Sequence, residues 1–333
     1  MKDIFISSCC NQGGCQAKGT LIIIGGGSAA FSAATRAVEL GAEKVTIIND
    51  GLPTGGTCVD VGCVPSKTLI RAAESLHRSN HNPFAGIVTS GRLTDFAAVI
   101  QDKRRLVTEL RQAKYVDVIR DVPNVHLENG HAKLLDSHTV ELGPRRLAAD
   151  NILIATGASA AISEIPGLAA SGYLTNESAF ELETLPESLI VLGGRYIALE
   201  CAQMFARMGS GVTVLQRSDR ILPIQPADIT DALTGYLVGE GLEILTGVTV
   251  QQVVSLSRFS YRIQGMDCKA CAAGLQAMLG RLPGVTTAVV SYRDGTAQVQ
   301  TAPAFHPHTV IRTLDSVGYN TTLMQPAKLA VAR

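Results

Sequence analysis

A chain of 333 residues with 46% hydrophobic residues has room for two domains and a small third. Its 29 basic and 29 acidic side chains cancel, so no electrostatic footprint for nucleic acid or an anionic membrane is present. Eight cysteines are too few for a disulfide scaffold at this length. With no secretory pattern in Met1-Lys2-Asp3-Ile4-Phe5-Ile6 and no bilayer-spanning run, they read as redox or metal chemistry in a reducing, cytoplasmic setting.

Residues 1–19 form a polar tail that holds Cys9, Cys10 and Cys15, and the vicinal pair reads as tail thiols without a role. At Thr20 the texture changes. Leu21-Ile22-Ile23-Ile24 is a fully apolar run, as expected of a buried parallel strand. Gly25-Gly26-Gly27-Ser28-Ala29-Ala30 follows and fits G-x-G-x-x-A. Gly25 permits a tight turn, Gly27 lets backbone approach a pyrophosphate, and Ala30 lets helix and strand pack closely. The helix N-terminus then offers unpaired N–H groups to phosphate. Val45-Thr46-Ile47-Ile48 closes a βαβ unit, and either Asn49 or Asp50 at its tip meets a ribose hydroxyl.

Next comes Gly55-Gly56-Thr57-Cys58-Val59-Asp60-Val61-Gly62-Cys63-Val64-Pro65-Ser66-Lys67. In a regular helix five positions amount to a rise of about 7.5 Å and a turn of about 140°, too far for Cys58 and Cys63 to be bridged. Gly55-Gly56 and Gly62 supply the freedom to bend, and Pro65 is tolerated in a first helical turn. A thiol at a helix start is favoured as thiolate, which suits attack and exchange.

Residues 66–120 predict long amphipathic helices, with short β pieces after them at Val125-His126-Leu127 and Thr139-Val140-Glu141-Leu142. Ile152-Leu153-Ile154-Ala155-Thr156-Gly157 reads as another buried strand ending on glycine. A second βαβ unit opens at Ser188, with its helix over about Tyr196–Met208 and its second strand at Val212-Thr213-Val214-Leu215. Its loop, Gly193-Gly194-Arg195-Tyr196-Ile197-Ala198, keeps the first glycine and the small Ala198 but carries Arg195 where the second glycine belongs. That guanidinium either clashes with a pyrophosphate or pairs with it. Arg217 and Arg220 at the next strand tip suit a 2′-phosphate, which favours NADPH over NADH. A further helix and strand end near Val254. From there the pattern reads βαββαβ in about 65 residues.

The cysteine segment resembles the active-site signature of the flavin-dependent pyridine nucleotide-disulfide oxidoreductases. Leu110-Arg111-Gln112-Ala113-Lys114-Tyr115 makes it most similar to the mercuric reductases of that family, over residues 20–255. The resemblance implies FAD and NADPH as cofactors. Cys58 is then the interchange thiol that meets substrate, and Cys63 the charge-transfer thiol against the flavin. Lys67 lies near the flavin and pairs with Glu200. Tyr196 gates the nicotinamide side, and Tyr115 lies near a mercury site formed with Cys58 and Cys63. Gly56, Thr57, Ala132, Thr156 and Gly157 fall where the family contacts FAD. Gly265-Met266-Asp267-Cys268-Lys269-Ala270-Cys271 resembles the GMxCxxC loop of heavy-metal-associated domains, the likeness covering residues 259–324. It implies that Cys268 and Cys271 bind a soft ion such as Hg(II), Cu(I) or Zn(II).

The expected fold is therefore α/β: two Rossmann-like nucleotide-binding units, the second incomplete, plus a small α+β ferredoxin-like module. The expected domains are a tail (1–19), an FAD-binding domain with the dithiol (20–160), a partial NADPH-binding domain (161–256), a heavy-metal-associated domain (257–326) and a tail (327–333). In the family the metal module precedes the flavin domain, whereas here it follows. After Val254 neither a later Gly-Asp segment for the flavin nor an interface domain is found; that domain builds the family's homodimer, the partner arrangement the resemblance implies. Two functions of different class follow. One is an NADPH-dependent mercury(II) reductase. The other is a non-catalytic cytosolic protein that binds or passes on soft metal and keeps a remnant flavin region. An organic disulfide reductase of the same fold is a third.

Overall fold

The computed structural model describes residues 19–254, 256–302 and 305–324. The tail cysteines Cys9, Cys10 and Cys15, and the tail at 327–333, lie outside them. Two compact units are present: one comprises residues up to 161 with 175–247, the other 162–174 with residues from 248 onward.

The first unit begins as the hydropathy dictates. β1 (Thr20–Ile24) pairs in parallel with β2 (Lys44–Asn49) across α1 (Ser28–Glu39). Ile23, Val45 and Ile47 bury one sheet face against Ala30, Phe31 and Ala34 of α1. Short α2 (Gly56–Asp60) and long α3 (Cys63–Asn80) follow, then α4 (Phe96–Arg111), a π turn (Gln112–Val116) and α5 (Asp117–Arg120). β3 (Val125–Asn129) adds to β2. β4 (Ala132–Leu134), β5 (Thr139–Leu142) and β6 (Arg145–Ala148) form an antiparallel sheet that covers the other face through Ile22, Ile48, Val140 and Leu142. β7 (Asn151–Ile154) returns beside β1, giving the order β3-β2-β1-β7.

After the one-turn α6 (Asn176–Ala179), β8 (Ser188–Leu192), α7 (Tyr196–Met208) and β9 (Gly211–Leu215) form the second βαβ unit. α8 (Ala227–Gly239) and β10 (Glu243–Leu245) extend it to the order β10-β9-β8. α3 packs on α7. Lys103 of α4 is 1% exposed and held by Glu181, which also receives Arg104 at 2.8 Å.

Two expectations need correction. Residues 152–157 are not a buried strand: regular pairing stops at Ile154, where Leu153 is 38% and Ile154 63% exposed. β7 ends its sheet, and among the described residues no further strand covers its outer edge. The last strand of the second unit does not run to Val254 either. It ends at Leu245, and residues 248–254 pack in the other compact unit, where Val253 N–H donates to the Pro166 carbonyl at 2.8 Å.

In the second unit, β11 (Ser257–Gln264), α9 (Lys269–Leu279), β12 (Val285–Ser291), β13 (Thr296–Thr301), α10 (His308–Asp315) and β14 (Asn320–Leu323) realise the βαββαβ order. The sheet is fully antiparallel in the order β12-β13-β11-β14. Tyr261, Ile263, Ala297 and Val299 on its inner face bury against Leu275, Leu279, Val310 and Leu314 of the two helices, an independent core.

Candidate active site and metal loop

The dinucleotide loop and the first dithiol are joined backbone to backbone. Gly27 and Gly55 form a β-bridge, and Gly55 N–H donates to the Gly26 carbonyl at 2.8 Å. Gly56 sits at φ +64°, and a Cβ there would lie 2.6 Å from Gly27 Cα. A Cβ on Gly25 would lie 2.1 Å from the Ala155 carbonyl oxygen, which brings Thr156 and Gly157 beside the loop. The glycines thus serve close approach between three chain segments. Gly27 caps α1 without a side-chain hydrogen bond, and no acidic residue occupies the first turn. The uncapped N-terminus and its glycine cradle fit a pyrophosphate.

At the tip of β2, Asn49 turns its amide to the Leu52 carbonyl at 2.9 Å, and Asp50 faces His131 Nδ1 at 2.9 Å. Ala132 begins β4 directly after that histidine, and Gly130 N–H donates to the Asn49 carbonyl at 2.9 Å. Asp50 is thus the exposed carboxylate at this corner, paired with His131, and the Asn49 amide is held by Leu52.

Cys58 lies on α2 and Cys63 opens α3. The helix breaks between them at Val61-Gly62, so the spacing that a straight helix could not bridge is folded back. A Cβ on Gly62 would lie 2.8 Å from the Thr57 carbonyl oxygen, so this fold-back needs glycine. Both thiols are unbridged and exposed. Hydrogen bonding to Cys63, then burial, then the charge Cys63 carries when ionised push the Cys58 thiol above its ordinary 9.0, while the Lys114 ammonium pulls the other way. Lys67, one turn beyond Cys63, donates to Glu200 of α7 at 2.5 Å. Next to Glu200, Cys201 is pushed up to about 12, by burial first and by Glu200 second, which keeps it a neutral thiol.

Asp60 and Arg111, given no role from the sequence, support this arrangement together with Tyr115. Asp60, 8% exposed, pairs with Arg111 at 3.1 Å, and its Oδ2 has no hydrogen-bond partner. Burial raises its carboxyl to about 6 against the pull of Arg111. Tyr115 is held by the π turn: its hydroxyl shares a hydrogen bond with Ser28 Oγ at 2.8 Å, its ring meets Phe31 edge-on at 5.1 Å, and it borders Gly55. It stands against the dinucleotide loop. No periodicity foretells a π turn, so the placement of Lys114 and the Ser28–Tyr115 contact do not follow from the sequence pattern.

The second loop is more closed. Arg195 caps α7, and Gly194 N–H is taken by the buried Gln216 Oε1 at 2.8 Å. Gly193 stands at φ +105° where β8 ends, and Ala198 lies in the first turn of α7. Tyr196 is exposed and accepts from Gln225 at 2.5 Å. Arg217 projects to solvent, while Arg220 turns to the Pro223 carbonyl at 3.4 Å.

Thr57, Cys58, Cys63, Lys67, Thr156 and Gly157 lie exposed, so the dithiol borders an open face. Two shallow cavities lie elsewhere. One of about 430 Å³ is lined by Leu76, Gly91, Leu93, Ala98 and Met208; one of about 300 Å³ lies in the second unit against Lys269, Gln276 and Tyr292.

In the second unit Cys268 caps α9, its sulfur accepting from Cys271 N–H at 3.3 Å and standing 3.0 Å from the Cys271 sulfur. Hydrogen bonding from Cys268 lowers the Cys271 thiol below its ordinary value. The Asp267 backbone and the Tyr319 hydroxyl act in the same direction. Among the described residues no group of three or more His, Cys, Asp or Glu is placed to hold a metal. Paired thiols are soft donors, which suit soft ions.

Residues 19–284 match the family described as pyridine nucleotide-disulphide oxidoreductase. The chain belongs to that family. Residues 260–320 match the heavy-metal-associated domain. Where the two matches overlap, at 260–284, the structure follows the second, since β11 and α9 belong to the βαββαβ core. Mercuric reductases from Lysinibacillus sphaericus and Staphylococcus aureus are 45% and 44% identical over 233 residues, 70% of this chain and 42% of each relative. The chain thus spans less than half the length of these two relatives. Among solved structures, the HOCl-induced flavoprotein disulfide reductase RclA from Escherichia coli superposes with a TM-score of 0.62 at 31% identity, covering 70% of this chain and 50% of that one. No helix among the described residues is long and apolar enough to cross a membrane.

Proposed function

We propose that this protein is a mercuric-reductase-like oxidoreductase that passes electrons from NADPH to Hg(II) at Cys58 and Cys63, with a second module that captures soft metal at Cys268 and Cys271. The observation that supports the reading is the glycine joint: Gly25–Gly27 and Gly55-Gly56 are bridged backbone to backbone, so a loop suited to a pyrophosphate lies next to the segment that carries the dithiol. FAD bound in that cradle supplies two-electron reduction of the Cys58–Cys63 disulfide, with NADPH as hydride donor.

This chain's own residues do the rest. Asp50 is the carboxylate available to the adenosine ribose, and Ala132, Thr156 and Gly157 border the dinucleotide. Lys67, fixed by Glu200, holds a positive charge one turn from Cys63. Arg195, Tyr196 and Arg217 line the face proposed for NADPH. The two thiolates of Cys58 and Cys63 bind Hg(II) as a soft two-sulfur pair. They then yield two electrons to it, so that the S–S bond forms again as the ion leaves as Hg(0).

The exposure of both thiols favours a second reading, a cytosolic soft-metal carrier without turnover. NADPH oxidation by the purified, FAD-supplied protein separates the two. The reductase oxidises NADPH only when Hg(II) is present and loses this activity in Cys58→Ser. A carrier binds Hg(II) at Cys268 and Cys271 with no NADPH consumed.

A further inference from the structure

The segment 111–115 is anchored at both ends against the piece that carries Cys58. At one end Arg111 pairs with buried Asp60, two residues beyond Cys58 on α2. At the other, Tyr115 is tied to Ser28 and packs at Gly55, just ahead of α2. The residues between are wound as a π turn, the form that inserts an extra residue into a helix and is frequent where a side chain must be re-aimed. Gln112, Ala113 and Lys114 are its exposed residues, and Cys58 is exposed as well. The Lys114 ammonium, on this anchored turn, favours the ionised form of Cys58, against the larger upward push of Cys63 and burial.

We propose that Lys114 is a specificity-determining residue: carried on a turn that the Asp60–Arg111 and Ser28–Tyr115 anchors fix against the Cys58 segment, its ammonium group selects sulfur-bearing partners that carry carboxylates over neutral ones. The inference rests on the reading of Cys58 as the thiol that meets the incoming partner, and it names that partner's class: carboxylate-bearing thiols and disulfides, and soft metal ions delivered as their thiolate complexes. The exchange step is balanced. The Cys58 thiolate attacks one sulfur of a disulfide, a Cys58–sulfur bond forms, the original S–S bond breaks, and the other half departs as thiolate.

Two disulfide probes test this on the full-length chain carrying Cys63→Ser, so that the mixed disulfide on Cys58 persists and is quantified on its own peptide by mass spectrometry. Dithiobis(nitrobenzoate) carries two carboxylates, whereas dithiodipyridine is neutral. The ratio of the two rates cancels any change in how much thiolate Cys58 presents. Lys114→Gln lowers the anion-to-neutral ratio about 5-fold and Lys114→Glu lowers it further, while Lys114→Arg preserves it. High salt narrows the gap between wild type and Lys114→Gln. A ratio unchanged in Lys114→Glu, with Cys58 still reactive, overturns the role of Lys114 and leaves the reading of Cys58 intact. A Cys58 that reacts with neither probe while Cys268 reacts with both overturns the reading and the proposal together.

Discussion

The two dithiols differ in what their backbones do to the sulfurs. Cys268 and Cys271 belong to one helix start, with the first cysteine capping the turn that carries the second, and Cys271 is drawn toward thiolate. Cys58 and Cys63 belong to two helices separated by a glycine break, and Cys58 is pushed toward the protonated thiol by its partner. A three-residue spacing on a cap makes a standing pair of soft donors. A five-residue spacing folded at glycine makes a pair whose first member gives up its proton reluctantly and is joined to a dinucleotide loop. The first suits capture of an ion, the second suits electron traffic.

The sharpest way to break this contrast is to remove one pair at a time. Replacing Cys58 or Cys63 by serine lowers Hg(II)-dependent NADPH oxidation by about 10³-fold or more, because the two thiols act as a unit. Metal capture at Cys268 and Cys271, read by mass spectrometry of the metal-loaded protein, is unchanged. Replacing Cys268 and Cys271 reverses the pattern: loading at that module is lost and flavin content is kept. Loss of flavin in that second variant would show that the pairs are not independent.

Next in size is the glycine joint. Gly56→Ala forces a Cβ to 2.6 Å from Gly27 Cα at a positive φ, so the two segments must part. The expected cost is ~2 kcal/mol of stability, read as a lower midpoint of thermal unfolding, together with weakened FAD retention. The same substitution at Gly274, whose Cβ would meet nothing within 4 Å, is the matched control in the other unit.

Local signals carried far. The apolar run of β1, the glycine turn and the Ala-rich α1 are consistent at every level, so that βαβ unit was legible, as was the βαββαβ order of the second unit. What escaped depends on neighbours. Leu153 and Ile154 look like core from composition, yet β7 is the end strand of its sheet, a fact set by pairing partners. Asn49 sits at the expected strand tip, but its amide turns to Leu52 and leaves Asp50 as the outward acid. Gln216 fills the corresponding corner of the second loop by closing on Gly194. Tyr115 was singled out by resemblance, and its contacts with Ser28 and Gly55 come from a π turn that no hydrophobic period encodes.

Smaller effects sharpen the comparison. At neutral pH iodoacetamide should label Cys271 before Cys58, read peptide by peptide; the opposite order would cancel the contrast between the pairs. Asp60 gives a pH signature confined to the first unit. Its folded-state value is raised from 3.8 to about 6, so the folded chain holds this proton more tightly than the unfolded one. The stability this group contributes is present below the unfolded value, is lost as pH rises from 3.8 to about 6, and stays lost above. Urea midpoints measured across that window should fall more for wild type than for Asp60→Asn.

The most direct test is an absorbance spectrum of the purified protein after incubation with FAD and removal of the excess. A cradle joined by glycine to a working dithiol predicts yellow protein whose flavin bands bleach when NADPH is added without oxygen and return when Hg(II) follows. Colourless protein that still takes up one soft ion at Cys268 and Cys271 would contradict it.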